Sequence, residues 1–371
     1  MPALLKTGSL KTRIVWAIVL ILMCLAPLVS TEFRLSLLAK FLALAILAIG
    51  LDLIWGYGGV LSLGHGVFFG LGGYAMAMYL KLQASGAAIP DFMGWSGLSG
   101  LPWFWEPFRF FPAALFLGIA IPALLAFVLG WFTFRNRITG VYFTILTQAL
   151  VLIAVTLFVG KQEWTGGTNG ITGYQAIFGF TLHSAGTTIA LYYITLAILV
   201  LAYLLCRRMV NSRFGQVLEA ARDGENRVRF LGYDPAGYKT LAFALSGALA
   251  GMAGMLFVLQ VGIISPSMMG IVPSIEMVLW VALGGRGTLI GAVIGAVMLN
   301  AAKTGISEAY PEGWLFVVGG LFVTVVLFMP NGIVGVYRNI AGKLQRRGES
   351  SHVQAASEKR KVFGASGDTG R

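Results

Sequence analysis

Three groups of residues in this sequence have the types and spacing to do chemistry. The first is Ser62 and His65, set among glycines at 58, 59, 64, 66, 70, 72 and 73. A serine and an imidazole can act as nucleophile and base. The nucleophile-elbow pattern, however, needs glycine two residues before and after the serine, and position 60 is Val. Gly64 and Gly66 could instead let the backbone unwind beside His65 and offer its polar groups to a solute. A packed helix with His65 hydrogen-bonded to a neighbour accounts for the same residues. The second group is the stretch 207–239, with seven bases (Arg207, Arg208, Arg213, Arg222, Arg227, Arg229, Lys239) and four acids (Glu219, Asp223, Glu225, Asp234). The third is Asp52 and Glu276, ionisable residues inside apolar runs. Such residues mark solute or proton paths. Both also lie near the ends of their runs, where a reach to the interface or helix-end hydrogen bonding would satisfy them. Gln148, Asn169, Gln260 and Ser265 are further polar points in apolar surroundings.

Other chemistry has no support. His65, His183 and His352 are far apart, and Cys24 and Cys206 lie in apolar runs, so no metal site, disulfide framework or cofactor is expected. The chain has no Gly-x-x-x-x-Gly-Lys-Ser/Thr run, so it does not bind ATP by a P-loop itself. If it pumps, the energy comes from a partner.

The elements that must position these groups are set by composition. Of 371 residues 57% are hydrophobic and only 11% charged, against about 25% charged in a soluble domain. This excludes a soluble enzyme and a nucleic-acid-binding domain. The expected class is all-α: a polytopic helical membrane protein with about ten transmembrane helices. The apolar runs fall at roughly 14–30, 36–55, 60–80, 111–134, 138–160, 187–206, 240–260, 267–284, 287–304 and 313–330. The glycine-rich turns at 56–59 and 284–287 are the least certain divisions, because either could be re-entrant.

Lysine and arginine placement sets the expected orientation. With the N-terminus inside and strict alternation, 21 of the 27 bases fall inside. Only Arg34, Lys40, Lys81, Arg109, Lys161 and Lys303 fall outside or at outer borders. The expected organisation is a cytoplasmic N-terminus over 1–13, a membrane domain over 14–337 with the cytoplasmic loop 207–239, and a basic cytoplasmic tail over 338–371. Within the loop, Phe214, Val217, Leu218 and Ala221 recur at i, i+3, i+4 and i+7, the spacing of one helix face. Ser212 is the expected N-cap, and Gly224 the expected break. A short amphipathic helix between spans suits docking, its apolar face in a partner's groove and its charged flank setting register. A helix lying on anionic lipid would read the same way.

Two long motifs carry a resemblance. They are Leu61-Ser62-Leu63-Gly64-His65-Gly66-Val67-Phe68-Phe69-Gly70-Leu71-Gly72-Gly73-Tyr74 and Ile275-Glu276-Met277-Val278-Leu279-Trp280-Val281-Ala282-Leu283-Gly284-Gly285-Arg286-Gly287-Thr288-Leu289. With Met329-Pro330-Asn331-Gly332 they resemble the LivM-type permeases of branched-chain amino acid ABC importers, over about residues 35–337. A narrower resemblance is to the urea-transporter permease branch, the UrtC type. It rests on Pro90-Asp91-Phe92-Met93, Leu101-Pro102-Trp103-Phe104-Trp105, Ile138-Thr139-Gly140-Val141-Tyr142-Phe143 and Gly166-Gly167-Thr168-Asn169-Gly170-Ile171-Thr172. That branch usually has two consecutive Asn where this chain has Thr168-Asn169.

The resemblance implies a subunit that is not itself an enzyme, in the bacterial inner membrane. It implies a second homologous permease, two ATP-binding subunits and a periplasmic solute-binding protein as partners, besides membrane lipids and without nucleic acid. The solute implied is urea or a short amide, with branched-chain amino acids as the alternative. A passive channel and an intramembrane Ser/His hydrolase are the readings from other classes. The residues expected along the solute path are Ser62, Gly64, His65, Gly66, Gln148, Asn169, Gln260 and Glu276. Phe214, Val217, Leu218, Glu219, Ala221, Arg222 and Asp223 are expected to couple to the ATPase.

Overall fold

The computed structural model describes residues 21–309 apart from 87, with scattered positions between 313 and 335. The expectations for 1–20 and 338–371 lie outside the described residues. The helices that matter here are α1 (Glu32–Asp52), α2 (His65–Ser85), α3 (Phe111–Arg135), α4 (Val141–Gly160), α5 (Ala185–Asn211), α6 (Arg213–Phe230), α7 (Pro235–Val261), α8 (Ile271–Gly284) and α9 (Leu289–Ala309). Residues 21–29 are also helical. Among the described residues, six helices are long and apolar enough to cross a membrane: α3, α4, α5, α7, the extended α1 through Tyr57, and α9 through Glu308.

With α2 and α8 these account for eight of the ten expected spans. The first is described only from residue 21, and the last falls mostly outside the described residues. Two details differ from the expected pattern. Helix α2 starts at His65 rather than near 60, because Gly58 and Gly59 end the preceding turn and residues 58–64 run without regular structure. Gly59 has φ of +74°, which a side chain would resist. Helix α8 has only 14 residues, about 21 Å. It follows a 3-10 turn at Pro266–Met269 rather than extending back to 267 as helix.

Helix α7 lies at the centre, packed against α1, α2 and α3. Small residues make this possible. A Cβ at Gly72 would overlap the Gly251 carbonyl, and one at Gly254 would overlap the Phe69 carbonyl. Helices α2 and α7 therefore meet backbone to backbone, as small-residue packing allows. This explains why so many glycines are tolerated in α2, despite costing up to about 1 kcal/mol each in helix propensity.

The ends of the bundle separate by chemistry. One end, the basic end, holds the 56–59 turn, Arg137 and Thr139, helix α6, and the α8–α9 turn around Arg286. The glycine-rich 284–287 segment is therefore a turn between two helices, on the same end as 207–239. The opposite, aromatic end gathers the long loops. Trp105 Nε1 donates to the Trp164 carbonyl at 3.2 Å, and an isolated bridge pairs Ile171 with Ile264. A two-residue hairpin, Ala176–Ile177 with Phe180–Thr181, is the only sheet among the described residues.

Candidate functional site

The glycine-rich motif is unwound at 58–64, as a solute site would need, but several of its polar groups are already engaged. Thr144 Oγ1 donates to the Leu61 carbonyl at 3.0 Å. Leu63 N–H donates to Thr147 Oγ1 at 3.1 Å. Gly64 N–H donates to Ser62 Oγ at 3.2 Å. His65 is buried, and its Nε2 lies 2.6 Å from Ser246 Oγ on α7, not against Ser62. The rings of Phe68 and Phe243 stand edge-on to the imidazole. Ser62 and His65 thus form no nucleophile–base pair. A Cβ at Gly66 would lie 2.6 Å from Ser274 Oγ, so this glycine serves the approach of α8. The sequence motif marks a tightly packed junction of α2, α4, α7 and α8. The fastening threonines, Thr144 and Thr147, carried no signal beyond their spacing of three.

The other expected path residues are dispersed. Gln148 is half-buried on α4 and Asn169 is exposed in the aromatic-end loop. Gln260 is buried near the end of α7, where its backbone carbonyl accepts a bond from Ser36 Oγ at 3.3 Å.

Glu276 is different. It is buried on α8 and accepts two bonds from Lys303 Nζ on α9, at 3.0 and 2.8 Å. The pair borders a cavity of about 410 Å³ that also takes in Lys40, Asn300 and Glu308. Its apolar wall includes Phe69, Phe257 and Trp280. Lys40 on α1 lies 5.7 Å from the centre of the Phe257 ring and within electrostatic reach of both Glu276 and Lys303. Two ammonium groups and two carboxylates thus share one pocket in the half of the bundle toward the aromatic end. Glu276 neither reaches an interface nor caps a helix end. Lys40 and Lys303 were legible only as markers of orientation, because their partner Glu276 lies on another helix. The available signal was Lys303 itself, a base within an apolar run.

At the basic end the amphipathic helix expected within 207–239 forms, over Arg213–Phe230, and breaks at Gly224 (φ −171°, ψ 80°). Ser212 stands at its N-cap but donates back to the Met209 carbonyl at 2.6 Å, closing α5 instead of capping α6. Its apolar face also departs from the docking expectation. Leu218 and Ala221 are buried, Phe214 and Val217 half-buried, and the Phe214 ring packs 5.4 Å from Tyr238 of the same chain. The groove that receives this face belongs to the same chain, because apolar surface left bare would cost free energy. Gln216, Glu219, Ala220, Asp223, Asn226 and Arg227 remain exposed.

Arg222 points inward. Its Nη1 donates to the Gly56 carbonyl at 2.7 Å, while Asp223 and Glu219 flank the guanidinium at 2.9 and 3.5 Å. The hydrogen bond from Arg222 holds the Asp223 carboxyl below its ordinary range. Past the break, burial alone would raise the Glu225 carboxyl. Bonds from Lys239 at 2.6 Å and Arg229 at 2.7 Å outweigh it and hold the group low. Asp52, the last residue of α1, makes the helix-end hydrogen bonding expected of it, in the turn before α9. It is fully buried, and its Oδ1 accepts the Gly287 N–H at 2.7 Å.

Comparison with known proteins agrees with this architecture. The family model described as branched-chain amino acid transport system / permease component matches residues 33–326. The chain is 26% identical over 353 residues to the high-affinity branched-chain amino acid transport system permease protein LivM of Salmonella typhimurium, covering 89% of this chain and 77% of the relative. It is 24% identical over 301 residues to BraD of Pseudomonas aeruginosa, a permease protein of the same description, covering 78% and 91%. To the autoinducer 2 import system permease protein LsrC of Salmonella paratyphi B it is 30% identical over 224 residues, covering 58% and 60%. No solved structure matches it. The chain therefore belongs to the branched-chain amino acid type family of ABC transporter permeases, whose members are membrane subunits and not enzymes.

Proposed function

We propose that this subunit, with a second homologous permease, forms the path of an ATP-driven importer for small amino acids with apolar side chains. Two ATP-binding subunits dock at the basic end, against the exposed flank of α6, and a periplasmic solute-binding protein delivers solute at the aromatic end. The assembly lies in the bacterial inner membrane with both termini of this chain cytoplasmic, as the distribution of lysine and arginine favours.

The observation that carries the solute class is the charged cavity. An amino acid presents a carboxylate, an ammonium and a side chain. Lys40 and Lys303 suit the first, Glu276 and Glu308 the second, and the wall of Phe69, Phe257 and Trp280 the third. The volume of about 410 Å³ suits a small solute. The permeases named for branched-chain amino acid transport support the same class. The reading of urea or a short amide rests on a separate observation, the blocks at 90–105, 138–143 and 166–172 that resemble the urea branch. A strain lacking this gene decides between them. On the amino-acid reading it loses uptake of labelled leucine or valine and keeps uptake of labelled urea. Loss of urea uptake alone, under nitrogen limitation, would replace the amino-acid reading with the urea one.

A further inference from the structure

At the basic end, two side chains tie the docking helix to the helices that line the charged cavity at the other. Arg222 makes the first tie. Its bond to the Gly56 carbonyl grips the five-residue π-helical turn Leu53–Tyr57, which continues α1. Such turns interrupt regular helix pairing and recur at functional positions. The stem of Arg222 lies directly on the next bend, since a Cβ at Gly59 would sit 2.5 Å from Arg222 Cγ. Glu219 and Asp223 fix the guanidinium from the other side.

Asp52 makes the second tie. One turn before Gly56, it accepts the Gly287 N–H of the α8–α9 turn at 2.7 Å. A Cβ at Gly56 would overlap Asp52 Oδ1 and would lie 2.5 Å from Gly287 N, so the three groups are in contact. Arg286 adds a third contact, its guanidinium 5.2 Å from the centre of the Trp55 ring.

The chain connections of α6 are looser than these ties. Ser212 is extended at one end, residues 231–234 are non-helical at the other, and Gly224 breaks the middle. By contrast, every residue from Phe41 to Asp52 is buried in the core, so this part of α1 moves as a rod. The part of α6 past Gly224 is held to α7 by Glu225 and Lys239; the helices gripped through Arg222 and Asp52 are α1 and, through their shared turn, α8 and α9. Those same three helices carry Lys40, Glu276 and Lys303. From Asp52 to Lys40 the rod spans twelve residues, about 18 Å at about 1.5 Å each.

We infer that Arg222 and Asp52 are positioning residues that carry motion of the docking helix to α1, α8 and α9, and so to the walls of the charged cavity. The inference rests on the reading of loop 207–239 as the surface that receives the ATP-binding subunits. Coupling of this kind needs a contiguous element that both sites bias, and α1 with its two ties supplies it.

The test uses the assembled transporter with its native partners, with Cys24 and Cys206 replaced and spin labels at Leu37→Cys on α1 and Ser307→Cys on α9. Both positions border the cavity. The distance between labels is measured with and without ATP trapped by vanadate, a readout that needs no knowledge of the solute. Trapping should shift it by several ångströms in the otherwise unsubstituted transporter. Arg222→Ala should abolish the shift, and Arg222→Lys, which keeps one donor for Gly56, should restore part of it. Asp52→Ala should at least halve the shift, and serves if Arg222→Ala fails to assemble. A full shift in assembled Arg222→Ala or Asp52→Ala transporter would overturn the inference, as would no shift in the unsubstituted transporter. Absence of any ATP-binding subunit from that preparation would instead overturn the importer reading beneath it.

Discussion

Helices α2 and α7 meet across glycine; α8 and α9 do so toward the basic end, at Gly284, Gly291 and Gly295, and with α1 they enclose charge at the other. In the first sector polar residues are few, and Ser62, His65 and Ser246 bond inward among aromatic rings. Backbones touch at Gly72 and Gly254, leaving no slack. In the second sector two acids and two bases border an open cavity, and a buried carboxylate holds the turn at its far end. A membrane protein tolerates buried charge where function requires it. The contrast therefore divides a rigid frame from a working face.

Four substitutions test that division, in order of expected effect. Glu276→Ala should be the most damaging, because it leaves Lys303 facing Lys40 without its carboxylate partner. Removing one member of a buried pair costs about 3–5 kcal/mol, and partial exposure of Lys303 places this at the lower end. Uptake should fall at least tenfold at equal protein level in the membrane, and exchanging the pair (Glu276→Lys with Lys303→Glu) should recover part of the fold. Uptake that survives Glu276→Ala unchanged would remove the working face from the comparison. Gly254→Ala follows, at about 2–3 kcal/mol, because its methyl group meets the Phe69 backbone, which cannot yield. Thermal unfolding in detergent should show the loss, while solute affinity in the surviving protein stays the same. A change in affinity would mean the frame is part of the path.

Glu225→Gln should cost about 1–2 kcal/mol by loosening the bonds to Lys239 and Arg229. Because the Glu225 carboxyl is held low in the folded chain, its contribution is present above the ordinary glutamate pKa. It fades as pH falls through the lowered value. The unfolding midpoints of variant and parent should therefore converge in acid, and a difference that widens there would refute the assignment. The smallest effect belongs to Ser246→Ala, about 1 kcal/mol for one lost hydrogen bond to His65. Its uptake should match the parent, since the pair is a fastening. A selective loss of transport without loss of stability would return His65 to the solute path.

Much of the frame was legible in the sequence. The runs at 111–134, 138–160, 187–206 and 240–260 became α3, α4, α5 and α7, because hydrophobic length is a local property. Helix α6 and its break at Gly224 were legible for the same reason, since periodicity and glycine act over a few residues. What was not legible depends on distant pairing. Glu276 finds Lys303 on the next helix, Arg222 reaches Gly56 across 166 positions, and Asp52 reaches Gly287 across 235. The apolar stripe of α6 marked a buried face correctly, but nothing in a stripe says whose groove buries it. The motif around His65 left two readings open because a glycine-rich segment reads alike whether its backbone is open to a solute or fastened by Thr144 and Thr147.

The short α8 bears on the lipid around this protein. Its 14 residues reach about 21 Å, while the hydrocarbon layer is about 30 Å thick. The chain before it, 262–270, is irregular apart from the 3-10 turn at Pro266–Met269, so several of its peptide groups lack α-helical partners. Acyl chains cannot solvate such groups. The bridge between Ile171 and Ile264 answers part of this need, with bonds of 2.9 and 3.3 Å, and the burial of Ile264, Ser265 and Pro266 answers more. The stretch thus finds cover within the protein itself, which is what a hydrocarbon surrounding would require of it.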